Sequence, residues 1–167
     1  MRVISGGQTG VDQAALRAAQ ACGLAIGGWC PPGRICESGR IPERFTLQET
    51  PEERSPLALD IPRSLRTEWN VRDSDSTLIV RDCTAPMPMH GDPGTAWTFD
   101  CAVRYGKPLL LWCARDSRHT GVEVVRAWLD GIGVETLNVA GPAESAQPGI
   151  GDLAEQFLSQ VFSIIGE

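Results

Sequence analysis

The sequence predicts an α/β protein, with a parallel sheet of about five strands and helices on both faces, in one domain spanning residues 1–167. Three observations predict it. Short apolar runs occur without polar alternation, as in strands buried on both sides. Stretches between them carry apolar residues at helical spacing, and Gly- and Pro-rich pieces directly follow the apolar runs.

The elements follow in order. Val3-Ile4-Ser5 reads as a strand before a helix that sets Val11, Ala15, Ala18 and Cys22 on one face, and residues 24–27 read as the next strand. After a long middle section come a strand at 77–80, a helix at 96–105 and a strand at 108–112. A helix at 121–130 carries Val122, Val125 and Leu129, and a strand follows at 134–139. The closing helix shows Leu153, Phe157, Val161 and Ile165 at helical spacing. In a parallel sheet all strand-to-helix loops leave from one edge, where ligands bind. GGQTG, GGWCPPGR, RDCTAPMPMHGDPGT, CARDSRHTG and AGPAESAQPGIG are therefore expected to converge on one rim.

Composition narrows the function classes. With 42% hydrophobic residues the chain can bury a sizeable core. A formal net charge of -6 speaks against a nucleic-acid partner. No apolar run is long enough for a membrane helix or a signal peptide, so a cytoplasmic location and no membrane partner are expected. Lys107 is the only lysine among 15 basic residues, which coding bias explains as well as anion recognition does. Six cysteines without CxxC spacing, with Cys101 and Cys113 in or beside apolar segments, predict reduced thiols. Cys30 and Cys36 lack a metal-ligand spacing, and His90 and His119 lie in different loops. Neither a metal site nor a catalytic residue is expected.

The first loop, Gly6-Gly7-Gln8-Thr9-Gly10, has two readings. Bare backbone before a helix suits an oxyanion, most naturally a phosphate. Alternatively Thr9 is an N-cap with Asp12 completing a capping box. On the first reading Gly7 lies outside the core, so a bulkier residue there should abolish binding and leave the fold intact, and Asp12 must turn its carboxylate away. Residues 29–76 are too long for an ordinary connection, yet Trp29, Phe45 and Trp69 argue for order. Within them Arg66, Asn70, Arg72, Asp73, Ser74 and Asp75 either present donors to a ligand or form surface ion pairs.

Together SGGQTGVD at 5–12, GGWCPPGR followed by Ile41-Pro42-Glu43-Arg44, RTEWNVRDSD at 66–75, Gly94-Thr95 and Gly106-Lys107-Pro108 resemble the molybdenum cofactor carrier family. That family is a branch of the Rossmann-like SLOG and lysine-decarboxylase-like superfamily. The resemblance covers residues 3–112. It implies a Rossmann-like, non-catalytic homo-oligomer, dimer or tetramer, that binds the molybdenum cofactor or molybdate and hands it to molybdoenzyme acceptors. Gly6, Gly7, Gln8, Thr9 and Gly10 would cradle the phosphate or molybdate, with Gly94 and Thr95 opposite. Arg34, Arg66, Asn70, Arg72, Asp73, Ser74 and Asp75 would complete the ligand-binding set. Two departures stand out: Cys36-Glu37-Ser38-Gly39 where the family often has Ala-Glu-Asp-Gly, and Pro93-Gly94 where it often has two glycines.

Nucleotide-binding proteins and nucleoside monophosphate phosphoribohydrolases of the same superfamily are the rival reading. Their PGGxGTxxE loop needs a carboxylate where this chain has Thr98, so Asp12 or Asp73 would have to stand in. A sensor of a nucleotide-derived signal is a third.

Overall fold

The computed structural model describes residues 1–84, 92–116 and 119–163, with the side chains of residues 119 and 120 left aside. His90, Ile165 and parts of two of the expected rim loops lie outside this set.

Five strands form the predicted parallel sheet: β1 (Arg2–Ile4), β2 (Ala25–Gly27), β7 (Ser76–Arg81), β8 (Leu109–Cys113) and β9 (Thr136–Ala140), in the order β2-β1-β9-β7-β8. The last strand therefore sits at the centre. It pairs on one side with β1, Val3 opposite Leu137, and on the other with β7, Leu78 opposite Val139. Parallel neighbours need crossovers, and amphipathic helices supply most of them.

Helix α1 (Val11–Ala21), α4 (His119–Ile132) and α5 (Ile150–Phe162) share one face of the sheet. Ala14, Ala15, Ala18 and Ala19 keep the surface of α1 flat, which lets α5 pack closely with Phe157, Leu158 and Phe162 fully buried. Each of those three side chains contributes roughly 1.5–3 kcal/mol of burial. The opposite face carries α2 (Ser64–Arg72) and α3 (Pro93–Arg104), joined through Val71, Trp97, Cys101 and Ala102. Helix α3 begins three residues earlier than its apolar stripe suggests. Pro93 occupies the first turn, where no amide is needed, and Asp92 Oδ1 accepts from Thr95 N at 2.9 Å.

The middle section is ordered. It forms β3 (Trp29–Cys30) paired with β6 (Gln48–Glu49), and β4 (Ile35–Cys36) paired with β5 (Gly39–Arg40). Cys30, Cys36, Ile41, Phe45 and Leu47 form a small core of their own against Leu16 of α1.

The cysteines correct one expectation. Cys83 and Cys113 form a disulfide, with Cα atoms 5.3 Å apart. The register sets Arg81 opposite Cys113, so residue 83 lands beside the same strand end. A separation of 30 residues in sequence hides that neighbourhood. Cys22, Cys30, Cys36 and Cys101 are free thiols.

Candidate functional site

A cavity of about 240 Å³ opens at the C-terminal edge of the sheet, among the loop after β1, the start of α2, the start of α3 and the loop after β9. Gln8, Asp12, Arg63, Arg66, Thr95 and Ser145 are among the residues that line it. The position is the one expected for a ligand in an open α/β sheet.

Arg66 comes from the first turn of α2 and Asp12 from the first turn of α1. Arg66 Nη1 donates to Asp12 Oδ2 at 2.7 Å, and Gln8 N reaches the same oxygen at 3.2 Å. Burial is the main influence on Asp12 and raises its pKa, while Arg66 pulls the other way. The Asp12 carboxylate is thus turned to Arg66. The capping-box reading does not hold: the N-cap is Gly10, at φ 76, with no side-chain cap.

Two of the lining residues each carry a polar side-chain atom with no hydrogen-bond partner among the described residues. Arg66 Nε and Thr95 Oγ1 are both buried and both unsatisfied. Leaving a buried donor unpaired costs about 1–3 kcal/mol, so two beside one cavity point to a ligand that supplies acceptors. Cations and helix starts favour an anion there. Three lining carboxylates oppose them, but each is already engaged. Asp12 holds Arg66, Asp92 caps α3, and Glu37 accepts from Ser145 N at 3.0 Å, from Ser145 Oγ at 2.5 Å and from Thr9 Oγ1. Burial alone would raise the pKa of Glu37, but those hydrogen bonds outweigh it and hold the group below its usual range.

The expected site residues divide. Gln8, Arg66, Gly94 and Thr95 line the cavity. Thr9 and Gly10 face a second, open depression of about 560 Å³, which shares Glu37 and Ser145 with the first. Gly6 lies against Arg66: a Cβ there would meet Nη1 at 1.8 Å. The expectation that Gly7 lies outside the core fails. Gly7 is buried at φ +78, and a Cβ would meet Leu47 Cδ1 at 2.7 Å and Ile41 Cδ1 at 2.8 Å.

The rest of the set is engaged with the protein itself. Arg34 is buried and donates to the carbonyl oxygens of Leu47, Pro42 and Phe45 at 3.1, 3.1 and 2.9 Å. Asn70 clasps Trp29 by both backbone groups, at 2.8 and 2.9 Å. Arg72 grips Asp73 through Nε at 2.6 Å and Nη2 at 2.9 Å, and Asp73 also accepts from Trp29 Nε1 at 2.7 Å. Ser74 Oγ donates to Val71 O, and Asp75 Oδ2 accepts from Thr136 N. The reason is helical rise: six residues of α2 separate Arg66 from Arg72 by about 9 Å along the axis, which puts Arg72 and the residues after it at the opposite edge of the sheet.

Sequence reasoning missed Arg63, Glu37 and Ser145 as wall residues. Glu37 had a signal, since it is the acidic residue of Cys36-Glu37-Ser38-Gly39, the stretch that stands where the family often has Ala-Glu-Asp-Gly. Arg63 and Ser145 had none. Among the described residues no group of His, Cys, Asp and Glu is arranged to hold a metal ion, and no helix is long and apolar enough to cross a membrane.

A five-stranded parallel sheet with a cleft among helix starts at its C-terminal edge defines a Rossmann-like protein. Residues 3–162 match the Circularly permutated YpsA SLOG family, and the chain belongs to that family. Among solved structures it is similar, with 37% identity and a TM-score of 0.81, to one from Syntrophus aciditrophicus SB whose name proposes it as a molybdenum carrier protein. The match covers 96% of this chain and 93% of that one. No curated protein matches.

Proposed function

We propose that the chain is a non-catalytic carrier or store for a molybdenum-containing oxyanionic ligand, either the molybdenum cofactor or molybdate. The observation that carries the reading is the pair of orphaned polar atoms, Arg66 Nε and Thr95 Oγ1, in two residues that line one cavity. The name of the 37% identical structure supports the choice of cargo. A phosphate or molybdate would take hydrogen bonds from Arg66 and Thr95 at the start of α3, and the ion pair to Asp12 holds the guanidinium ready for it. A pterin attached to that phosphate could extend past Glu37 and Ser145 toward the second depression. Assembly into dimers or tetramers, a cytoplasmic location and molybdoenzyme acceptors belong to the same reading. Exposed Val103 and Leu111 are apolar surface that self-assembly would cover.

Hydrolysis of a nucleotide is the weaker reading. Thr98 stands where the acid is needed, and its Oγ1 donates to Gly94 O at 3.0 Å. Of the two stand-ins, Asp12 is committed to Arg66, and Asp73 lies at the far edge of the sheet bonded to Arg72 and Trp29.

The test is anaerobic co-elution with the molybdenum cofactor on gel filtration, with excess AMP as competitor. Stoichiometric pterin that AMP does not displace supports the proposal. Absence of both pterin and molybdenum from the protein peak, or displacement of pterin by AMP, moves the ligand to the nucleotides.

A further inference from the structure

We propose that Cys83–Cys113 is a reversible thiol-exchange site for small thiols, and that its redox state sets how firmly the loop 141–147 walls the cleft. The disulfide crosses from the end of β7 to the end of β8, at the edge of the sheet that carries the cavity. Cys83 is exposed and Cys113 half-buried, so an exogenous thiolate can reach the bond. Of the four free cysteines only Cys22 is partly exposed, and it lies at the end of α1 against Ser159 of α5, away from this bond. Cys30, Cys36 and Cys101 are buried, and burial pushes the Cys101 thiol up to about 12.

The chemistry balances with a small thiol as reductant. Its thiolate attacks the exposed Cys83 sulfur, forms a mixed disulfide and expels Cys113 as a thiolate, which takes up a proton. A second molecule of the thiol then attacks the mixed disulfide. Cys83 leaves as a thiol and the reductant departs as its own disulfide, having supplied two electrons.

Asp82 transmits the change. It directly precedes Cys83, and Gln147, from the loop after the neighbouring strand β9, clasps its backbone. Asp82 N donates to Gln147 Oε1 at 2.9 Å, and Gln147 Nε2 donates to Asp82 O at 3.0 Å. Gln147 is buried, and Ala143, Ser145 and Ala146 of its loop line the cavity. Ala146 N and Gln147 N both donate to Ala143 O at 3.1 Å, which makes the loop one closed turn that moves as a unit. A parallel tie exists: Arg115 binds Asp82 through Nε at 2.8 Å and Nη2 at 2.7 Å. That ion pair bridges the same two strand ends, but the Arg115 side chain is 53% exposed, so salt weakens it. With the disulfide reduced and salt high, Asp82 loses both ties to the end of β8 and keeps its bonds to Thr84 and Gln147.

The experiment is hydrogen–deuterium exchange of the full chain, oxidised and after treatment with dithiothreitol, at low and high salt. Thiols are counted by alkylation after unfolding. The oxidised protein should show four thiols and the reduced protein six. Exchange of the amides in 141–147 should rise roughly tenfold on reduction in high salt, and should return on reoxidation with glutathione disulfide. Cys83→Ser should show the fast rate without reductant, and Cys113→Ser repeats the test. Six thiols before reduction, or equal exchange in both states, overturns the proposal. Faster loss of bound pterin from the reduced protein is a further expected result that rests on the carrier reading. If neither form binds pterin, that reading alone fails, because the thiol count and the exchange rates need no ligand.

Discussion

Arg66 and Asp12 meet across 54 residues of chain with 2.7 Å between Nη1 and Oδ2, joining the first turn of α2 to the first turn of α1 beneath the cleft. The two side chains are 14% and 4% exposed, so neither can turn to water when the other is lost. Arg66→Ala should therefore cost about 3–5 kcal/mol. Adding Asp12→Asn to that variant should recover part of the loss, because the buried charge goes with it. A double-mutant cycle by urea unfolding measures the coupling, and additive losses would show that the pair is not a unit.

The same pair gives a pH dependence with a definite sign. The Asp12 pKa is raised above the ordinary value of 3.8, chiefly by burial. Its contribution to stability is therefore full below the unfolded value and is lost as pH rises through the folded one. Asp82 has the opposite sign. Hydrogen bonding from Arg115 lowers it, so its contribution is present above the ordinary value and is lost as pH falls. Subtracting the unfolding free energy of Asp12→Asn from that of the parent across a pH series should give a difference that declines as pH rises above 3.8. A rising difference would show that the pairing with Arg66 outweighs burial at this carboxyl.

Gly7 and Gly94 should respond to alanine in different ways. At Gly7 the left-handed backbone alone costs about 1–2 kcal/mol, and collision with Leu47 and Ile41 adds to it. Gly94→Ala would bring a Cβ within 3.3 Å of Asp92 Oδ1 only, so its unfolding midpoint should hold while pterin retention falls. Unfolding curves with co-elution on both variants separate the two effects.

Thr95→Val and Asn70→Ala should also part company. The first removes an orphaned hydroxyl, so stability should not fall, whereas pterin binding should weaken by roughly tenfold. The second strips Trp29 of two hydrogen bonds and should cost about 1–3 kcal/mol, with no loss of pterin by the folded fraction. Loss of binding in a fully folded Asn70→Ala protein would return that residue to the ligand site.

Much of the sheet was legible because its strands are continuous apolar runs and because Val122, Val125 and Leu129 mark α4 at helical spacing. Helix α2 was not, because it buries Ser64, Thr67, Glu68 and Asn70 and so carries no apolar stripe. Within the candidate site, Arg66 and Thr95 were legible from the motifs around them. That Arg72, Asp73, Ser74 and Asp75 lie at the other end of the same helix was not, since adjacency in a motif hides the rise of the helix. Gly7 misled for a related reason: a glycine left bare for a ligand and one left bare for Leu47 and Ile41 look alike in sequence.

The central place of β9 governs the order in which the molecule can be made. β1 with β2 and β7 with β8 are separate pairs that touch no common strand until residues 136–140 arrive. On the ribosome the Arg66–Asp12 pair can already join α2 to α1, but the sheet beneath the cleft cannot close before β9 has emerged. The sheet is thus closed by contacts between residues far apart in sequence, which favours slow, cooperative folding. On the carrier reading, a ligand held against the loop after β9 has to wait for that strand to take its place.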